Sequence, residues 1–88
     1  MRLRSDINLY QLGKESVVVN PGHNSDLQSY IYPMNEAAAM LWQTFHGRDF
    51  TVEAMADVLC KTYDVSRDMA LHDISELLQL WKDYELLV

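Results

Sequence analysis

The amino-acid sequence changes its hydrophobic pattern near residue 34, and this change limits the folds that the chain can adopt. Before it, short runs of β-branched and aromatic residues are separated by turn-forming residues, which predicts strands over residues 7–12, 16–20 and 27–32. After it, apolar residues recur every three or four positions, which predicts amphipathic helices. With 88 residues, we expect a single domain over residues 1–88, of the α+β class, with a three-stranded antiparallel sheet followed by three helices.

Residues that favour helix N-caps mark where the three helices begin. Asn35, Thr51 and Ser66 each precede a helical pattern. The third helix is predicted to run to Asp83, and the apolar tail after it to pack back on the sheet. Three strands and three helices of these lengths suggest a winged-helix-like fold.

The third predicted strand is rich in aromatic residues. Tyr30 and Tyr32 share one face, and Ile31 lies on the other, because side chains alternate along a strand. One set is expected to face the helices, and the other to be exposed or covered by a partner. Pro33 has no N–H for a ladder, so it fits a strand end or an edge strand.

The charge balance argues against nucleic acid as a partner. The chain has 7 basic and 13 acidic residues, a net charge of −6, and the surplus lies in residues 35–88. The third helix carries two cations, Arg67 and Lys82, against four carboxylates. A DNA-reading helix needs cations to meet phosphates and base edges. A degenerate winged helix that serves in protein interaction or transcription is the alternative interpretation.

No residue pattern indicates catalysis, a metal site or a cofactor. The three histidines and Cys60 form no metal-ligand spacing, and no glycine-rich phosphate loop is present. Cys60 lies beside the apolar stripe of the second helix, which favours a packed side chain over a reactive thiol. So small a core leaves little room for an enclosed active site. We therefore expect no enzyme activity and no cofactor.

The sequence also indicates the compartment. A single cysteine allows no internal disulfide, and the N-terminus lacks the apolar region of a signal peptide. No apolar run is long enough to span a bilayer. We expect a soluble, cytoplasmic protein with no membrane partner.

An edge strand beside an apolar helix can bind an extended peptide. The strand's unpaired N–H and C=O groups accept an added strand, and the helix supplies pockets for side chains. The residues with the required composition lie in the third strand and third helix: Gln28, Ser29, Tyr30, Ile31, Tyr32, Leu71, Ile74, Leu78 and Trp81. Replacing Ile74 with Glu is expected to abolish binding while the domain stays folded. Because the edge could also pair with its own copy, a homodimer is a further expectation.

The order of several short motifs resembles the PqqD family of precursor-peptide recognition elements. A tyrosine-bearing strand leads into an Asn-x-x-Ala helix start and a tryptophan, and a Thr-x-x-x-x-Ala segment, a Tyr-Asp-Val and a leucine-rich helix follow. The residues that carry these motifs are Tyr30, Met34-Asn35-Glu36-Ala37-Ala38-Ala39, Trp42, Phe45-His46-Gly47, Thr51, Met55-Ala56, Tyr63-Asp64-Val65, Asp73-Ile74 and Leu77-Leu78. The match runs from about residue 17 to residue 88. Glu85 stands where the family usually has a glycine, so the final turn is expected to differ.

The resemblance implies both a function and a place for it. Family members bind the leader of a ribosomally made precursor peptide as an added strand between the third strand and the third helix. They present it to a modifying enzyme, such as a radical-SAM enzyme, a protease or a cyclase. On this chain, the groove would be lined by Gln28–Tyr32 and by Leu71, Ile74, Leu78 and Trp81, and Asp73 matches the family aspartate.

Overall fold

The computed structural model describes residues 1–20 and 30–88. Three strands, β1 (Leu9–Leu12), β2 (Glu15–Asn20) and β3 (Tyr30–Met34), precede three helices. The helices are α1 (Glu36–Phe45), α2 (Val52–Tyr63) and α3 (Arg67–Asp83). The predicted α+β class and the order of the elements are confirmed. The likeness to a winged helix remains a prediction.

The sheet is antiparallel in the order β1-β2-β3. A two-residue turn joins β1 to β2, and Gly13 at its first position has φ +65°, as hairpin turns of this length require. In β3, the predicted end at Tyr32 is wrong, because the strand continues through Pro33 to Met34. Pro33 is tolerated there because, among the described strands, β3 has a neighbour on one side only. The predicted start at residue 27 lies outside the described residues.

The three predicted N-caps are confirmed. The side chains of Asn35, Thr51 and Ser66 accept hydrogen bonds from backbone N–H groups three residues ahead, at 2.8, 3.1 and 3.2 Å. Each cap satisfies a donor that the first turn of a helix leaves unpaired. The start of every helix is therefore set by a local interaction.

The core lies between one face of the sheet and the helices. Trp42 of α1 and Trp81 of α3 are both buried and meet edge to face, with ring centroids 5.4 Å apart. Val18 of β2 and Met34 of β3 enter the same core from the sheet. Aromatic packing between α1 and α3 thus fixes how these two helices lie against each other.

The two ends of the chain pair with each other. Leu3 and Leu87 form an antiparallel bridge, the Arg4 N–H donates to the Leu86 carbonyl, and the Val88 N–H donates to the Arg2 carbonyl. Leu86 is fully buried. The apolar tail is therefore packed, as expected, but its backbone pairs with the N-terminal segment and not with the sheet.

A polar cluster holds the end of α3 against β2. The Arg4 guanidinium donates to Asn20 Oδ1 (3.3 Å), to the Glu85 carbonyl (3.0 Å) and to both carboxylate oxygens of Asp6. Asn20 is 2% exposed, and its Nδ2 donates to the Tyr84 carbonyl at 2.9 Å. A buried amide must satisfy its hydrogen-bonding groups, so these partners fix where the chain leaves α3.

Helix α3 ends in a Schellman motif. The Leu86 N–H donates to the Trp81 carbonyl and the Glu85 N–H to the Lys82 carbonyl. Glu85 has φ +59°, in the left-handed region that favours glycine. Glu85 thus adopts a conformation that a glycine would take more easily, and the expectation that the final turn differs from that of the family stays a prediction.

Glu85→Gly should stabilise the protein by about 0.5–1 kcal/mol. Removing the left-handed strain of Glu85 should stabilise the folded protein by about 1–2 kcal/mol. The larger conformational entropy of glycine in the unfolded chain should offset about 0.5–1 kcal/mol of this gain. Urea unfolding of the two proteins measures the difference. Glu53→Gly, within the first turn of α2, should destabilise instead, and a stabilisation there would contradict the conformational reasoning.

Candidate functional site

Strand β3 presents a free edge. It pairs with β2 on one side, and among the described strands nothing pairs with its other side. An edge strand leaves backbone N–H and C=O groups available to an extended chain. Pro33 offers no N–H, so the pairing potential is greatest before it.

An aromatic ladder joins this strand to the end of α3. The rings of Tyr30 and Tyr32 are stacked with centroids 6.4 Å apart, and the rings of Tyr32 and Tyr84 with centroids 3.9 Å apart. Tyr84 directly follows α3, and its carbonyl is held by Asn20. The ladder therefore places the C-terminal end of α3 beside β3.

The environment of Tyr32 favours its neutral phenol. Partial burial raises the pKa of Tyr32 above its ordinary value, and the neighbouring Tyr30, Tyr84 and Glu85 raise this pKa further. Tyr32 accordingly keeps its proton in the physiological range and can donate a hydrogen bond.

A groove of about 340 Å³ lies between α1 and α3. Its walls are the first turns of α1 and the middle of α3, and its floor includes Leu59 and Ile74. The lining residues are Asn35, Ala37, Ala38, Leu41, Leu59, Asp73, Ile74, Glu76, Leu77 and Leu80. Leu80 is 44% exposed and Leu77 is half-buried. The groove thus offers apolar surface that water still reaches.

The charge of this groove is negative. Its lining holds two carboxylates, Asp73 and Glu76, and no lysine or arginine. The cations of α3 lie elsewhere: Arg67 is paired with Asp57, and Lys82 is two residues from Leu80 and so on the opposite side of the helix.

The PqqD family model, described as coenzyme PQQ synthesis protein D, matches residues 15–87. The chain belongs to the PqqD family. Membership supports an accessory, precursor-peptide-binding role, and the members of this family are non-catalytic accessory proteins. Neither the curated proteins nor the solved structures gave a significant match.

The predicted strand residues fall on two sides of the PqqD-type sheet. Tyr30 and Tyr32 face the end of α3, as the ladder shows. Ile31, 64% exposed, occupies the opposite face of the sheet. Gln28 and Ser29 lie outside the described residues.

The predicted helix residues are mostly core. Ile74, Leu78 and Trp81 are buried, and of these Ile74 also lines the groove floor. Leu71 is half-buried and lies nine residues before Leu80, on the opposite side of α3. Apart from Ile74, the α3 residues that line the groove are therefore not the predicted ones but Asp73, Glu76, Leu77 and Leu80, on an adjacent side of the helix.

Sequence reasoning missed the groove residues Leu77 and Leu80 and the ring of Tyr84. Leu77 and Leu80 widen the apolar stripe of α3 that also contains Ile74, Leu78 and Trp81. That stripe is wider than one buried face requires, which was the available signal. Nothing in the sequence indicated that Tyr84 would contact the third strand, because this contact joins distant segments.

Two further features were sought in the part of the chain that the structure describes. Among residues 1–20 and 30–88, no three His, Cys, Asp or Glu side chains are grouped so that they could hold a metal ion. Within the same ranges, no helix is both long and apolar enough to cross a membrane.

Ile74→Glu should strongly destabilise the protein, in contrast to the expectation from the sequence that this variant stays folded. Ile74 is 1% exposed, and an unpaired carboxylate in the core costs about 3–5 kcal/mol. Leu80→Glu should cost less than about 1 kcal/mol because Leu80 is at the surface. Thermal unfolding followed by circular dichroism distinguishes them, and equal losses would contradict this assignment of core and groove.

Stability should fall at alkaline pH in a way that depends on Tyr32. Because folding raises the pKa of Tyr32, the contribution of Tyr32 to the free energy of unfolding is complete below the ordinary tyrosine pKa of about 10. It is lost as the pH rises through the raised pKa. The free energy of unfolding, measured from neutral to alkaline pH, should decline less steeply in Tyr32→Phe. The exposed Tyr10 supplies the control, since Tyr10→Phe should leave the slope unchanged.

Proposed function

We propose that this protein is a non-catalytic adaptor that binds the leader of a ribosomally made precursor peptide by strand addition to β3. It then presents the peptide to a modifying enzyme such as a radical-SAM enzyme, a protease or a cyclase. Membership of the PqqD family supports the coarse role. The geometry supports the mode of binding.

The observation that carries the proposal is the position of the free β3 edge beside apolar surface on α3. A peptide paired with β3 gains backbone hydrogen bonds, and its alternate side chains point toward the helices. The stacked rings of Tyr30 and Tyr32 on β3 and of Tyr84 after α3 connect the strand to the helix. Leu80 and Leu77 lie four and seven residues before Tyr84, on the same side of α3 as Tyr84. Affinity and side-chain selection thus come from adjoining surfaces.

The predicted contact set keeps a role in this proposal. Gln28, Ser29, Tyr30, Ile31 and Tyr32 would supply the pairing strand. Ile74 would form part of the groove floor. Leu71, Leu78 and Trp81 would hold α3 in place and so position the side chains that line the groove. Leu77, Leu80 and Tyr84 join them as residues whose side chains reach the surface.

A DNA-binding function is disfavoured by electrostatics. The exposed groove beside α3 carries carboxylates and no cation, and a phosphate backbone would be repelled by them. Neutral or cationic peptides meet no such barrier. The same surface therefore favours a peptide partner over a nucleic acid.

Titrating candidate leader peptides into isotope-labelled protein should shift the amide resonances of β3 and of α3 around Leu77 and Leu80. Leu80→Ser should weaken binding about tenfold, because the groove loses apolar contact. Leu12→Ser is the matched control, since Leu12 is 62% exposed on the far side of the sheet. Resonance shifts confined to that far side would contradict the proposal.

Methylated peptide amides test strand addition itself. In an extended strand, successive N–H groups point in opposite directions. Methyl groups on alternate peptide nitrogens should weaken binding only where the N–H faces β3. Equal losses at every position, or none, would show that the peptide does not bind as a strand.

A further inference from the structure

The groove between α1 and α3 has a direction relative to β3. Leu80 is near the end of α3 that the Tyr84 ring attaches to β3, whereas Asp73 lies seven residues earlier. At about 1.5 Å per helical residue, this separation is about 10 Å. An extended peptide covers it with about three residues. A peptide that leaves β3 therefore meets the leucines first and the carboxylates afterwards.

The apolar half of the groove can receive one large side chain. Leu77, Leu80 and Leu41 line this half of the groove. On the α1 side, the small side chains of Ala37 and Ala38 occupy little of the space. Since Leu80 remains 44% exposed, an incoming apolar group would remove apolar surface from water. That burial is the main favourable term expected here.

The other half of the groove holds the carboxylates of Asp73 and Glu76, and no lysine or arginine lines it. Among the described residues, Asp73 takes part in no ion pair, and Glu76 contacts His72, with Nε2 and Oε1 3.3 Å apart. Both members of that pair are more than two-thirds exposed, and exposed pairs contribute little. The chain's net charge of −6 adds to the attraction for a cation.

We propose, building on the peptide-binding role above, that this groove selects leader peptides with a large apolar residue followed, on the side away from β3, by Lys or Arg within about three positions. The apolar residue docks on Leu77 and Leu80. The cation approaches Asp73 and Glu76. Acidic residues at the same place are disfavoured by like-charge repulsion.

A displayed library of random peptides, selected on the immobilised full-length protein, tests this directly. The peptides that the protein retains should share a large apolar residue and should be enriched in Lys or Arg within about three positions of it. In one such peptide, Lys→Gln should weaken binding about two- to five-fold, and Lys→Glu should weaken it more. Added salt should shrink these differences.

The double variant Asp73→Asn, Glu76→Gln should erase the preference for the lysine peptide over its glutamine form. Its control removes two other exposed carboxylates, by Asp68→Asn and Glu53→Gln, which lie outside the groove. That control should keep the preference. Persistence of the preference in the groove variant, or its loss in the control, would overturn the proposal.

The outcome of selection separates the two proposals. Retained peptides that are neutral or acidic at the positions beyond the apolar residue would overturn the charge selectivity alone. A library that gives no enrichment over a blank surface would overturn peptide binding as well.

Discussion

The arrangement of the proposed site depends on one buried polar cluster. Asn20, at the end of β2, bonds to the Tyr84 carbonyl, while Arg4 bonds to both Asn20 and the Glu85 carbonyl. These bonds connect the sheet, the N-terminal segment and the end of α3. Because they fix the backbone at Tyr84, its ring can stack on Tyr32 and bring the helix to the free edge of the sheet. Loss of the cluster would leave a buried amide unsatisfied and release this junction.

The core and the proposed binding surface share helix α3, and most of their residues lie on different stripes of it. Ile74, Leu78 and Trp81 point into the core, where Trp81 meets Trp42. Leu77 and Leu80 line the exposed groove beside that core. A buried stripe therefore holds the helix rigid while its neighbour remains open to a partner. Substitutions at Leu80 should change the proposed peptide contact with little effect on stability, because this side chain is 44% exposed, whereas Leu77 and Ile74 also pack in the core.

Several elements followed from local sequence. The caps Asn35, Thr51 and Ser66 gave the helix starts, since a cap bonds to a backbone N–H only three residues away. The predicted contact set mixes exposed and buried residues. Tyr30 and Tyr32 were correctly placed on one face, but Ile74, Leu78 and Trp81 were assigned to the groove although they are buried. A wide apolar stripe does not reveal which part another helix will cover. Burial depends on residues that are distant along the chain.

Residue patterns alone predicted the α+β class, the order of elements, the acidic character of the third helix and the resemblance to the PqqD family. These follow from periodicity, capping and charge, which are local or additive properties. Three features could be seen only in the folded chain: Tyr84 completes a ladder with β3, Glu85 takes a left-handed conformation, and the groove opens between α1 and α3. Each of these depends on contacts between segments that meet only when the chain folds.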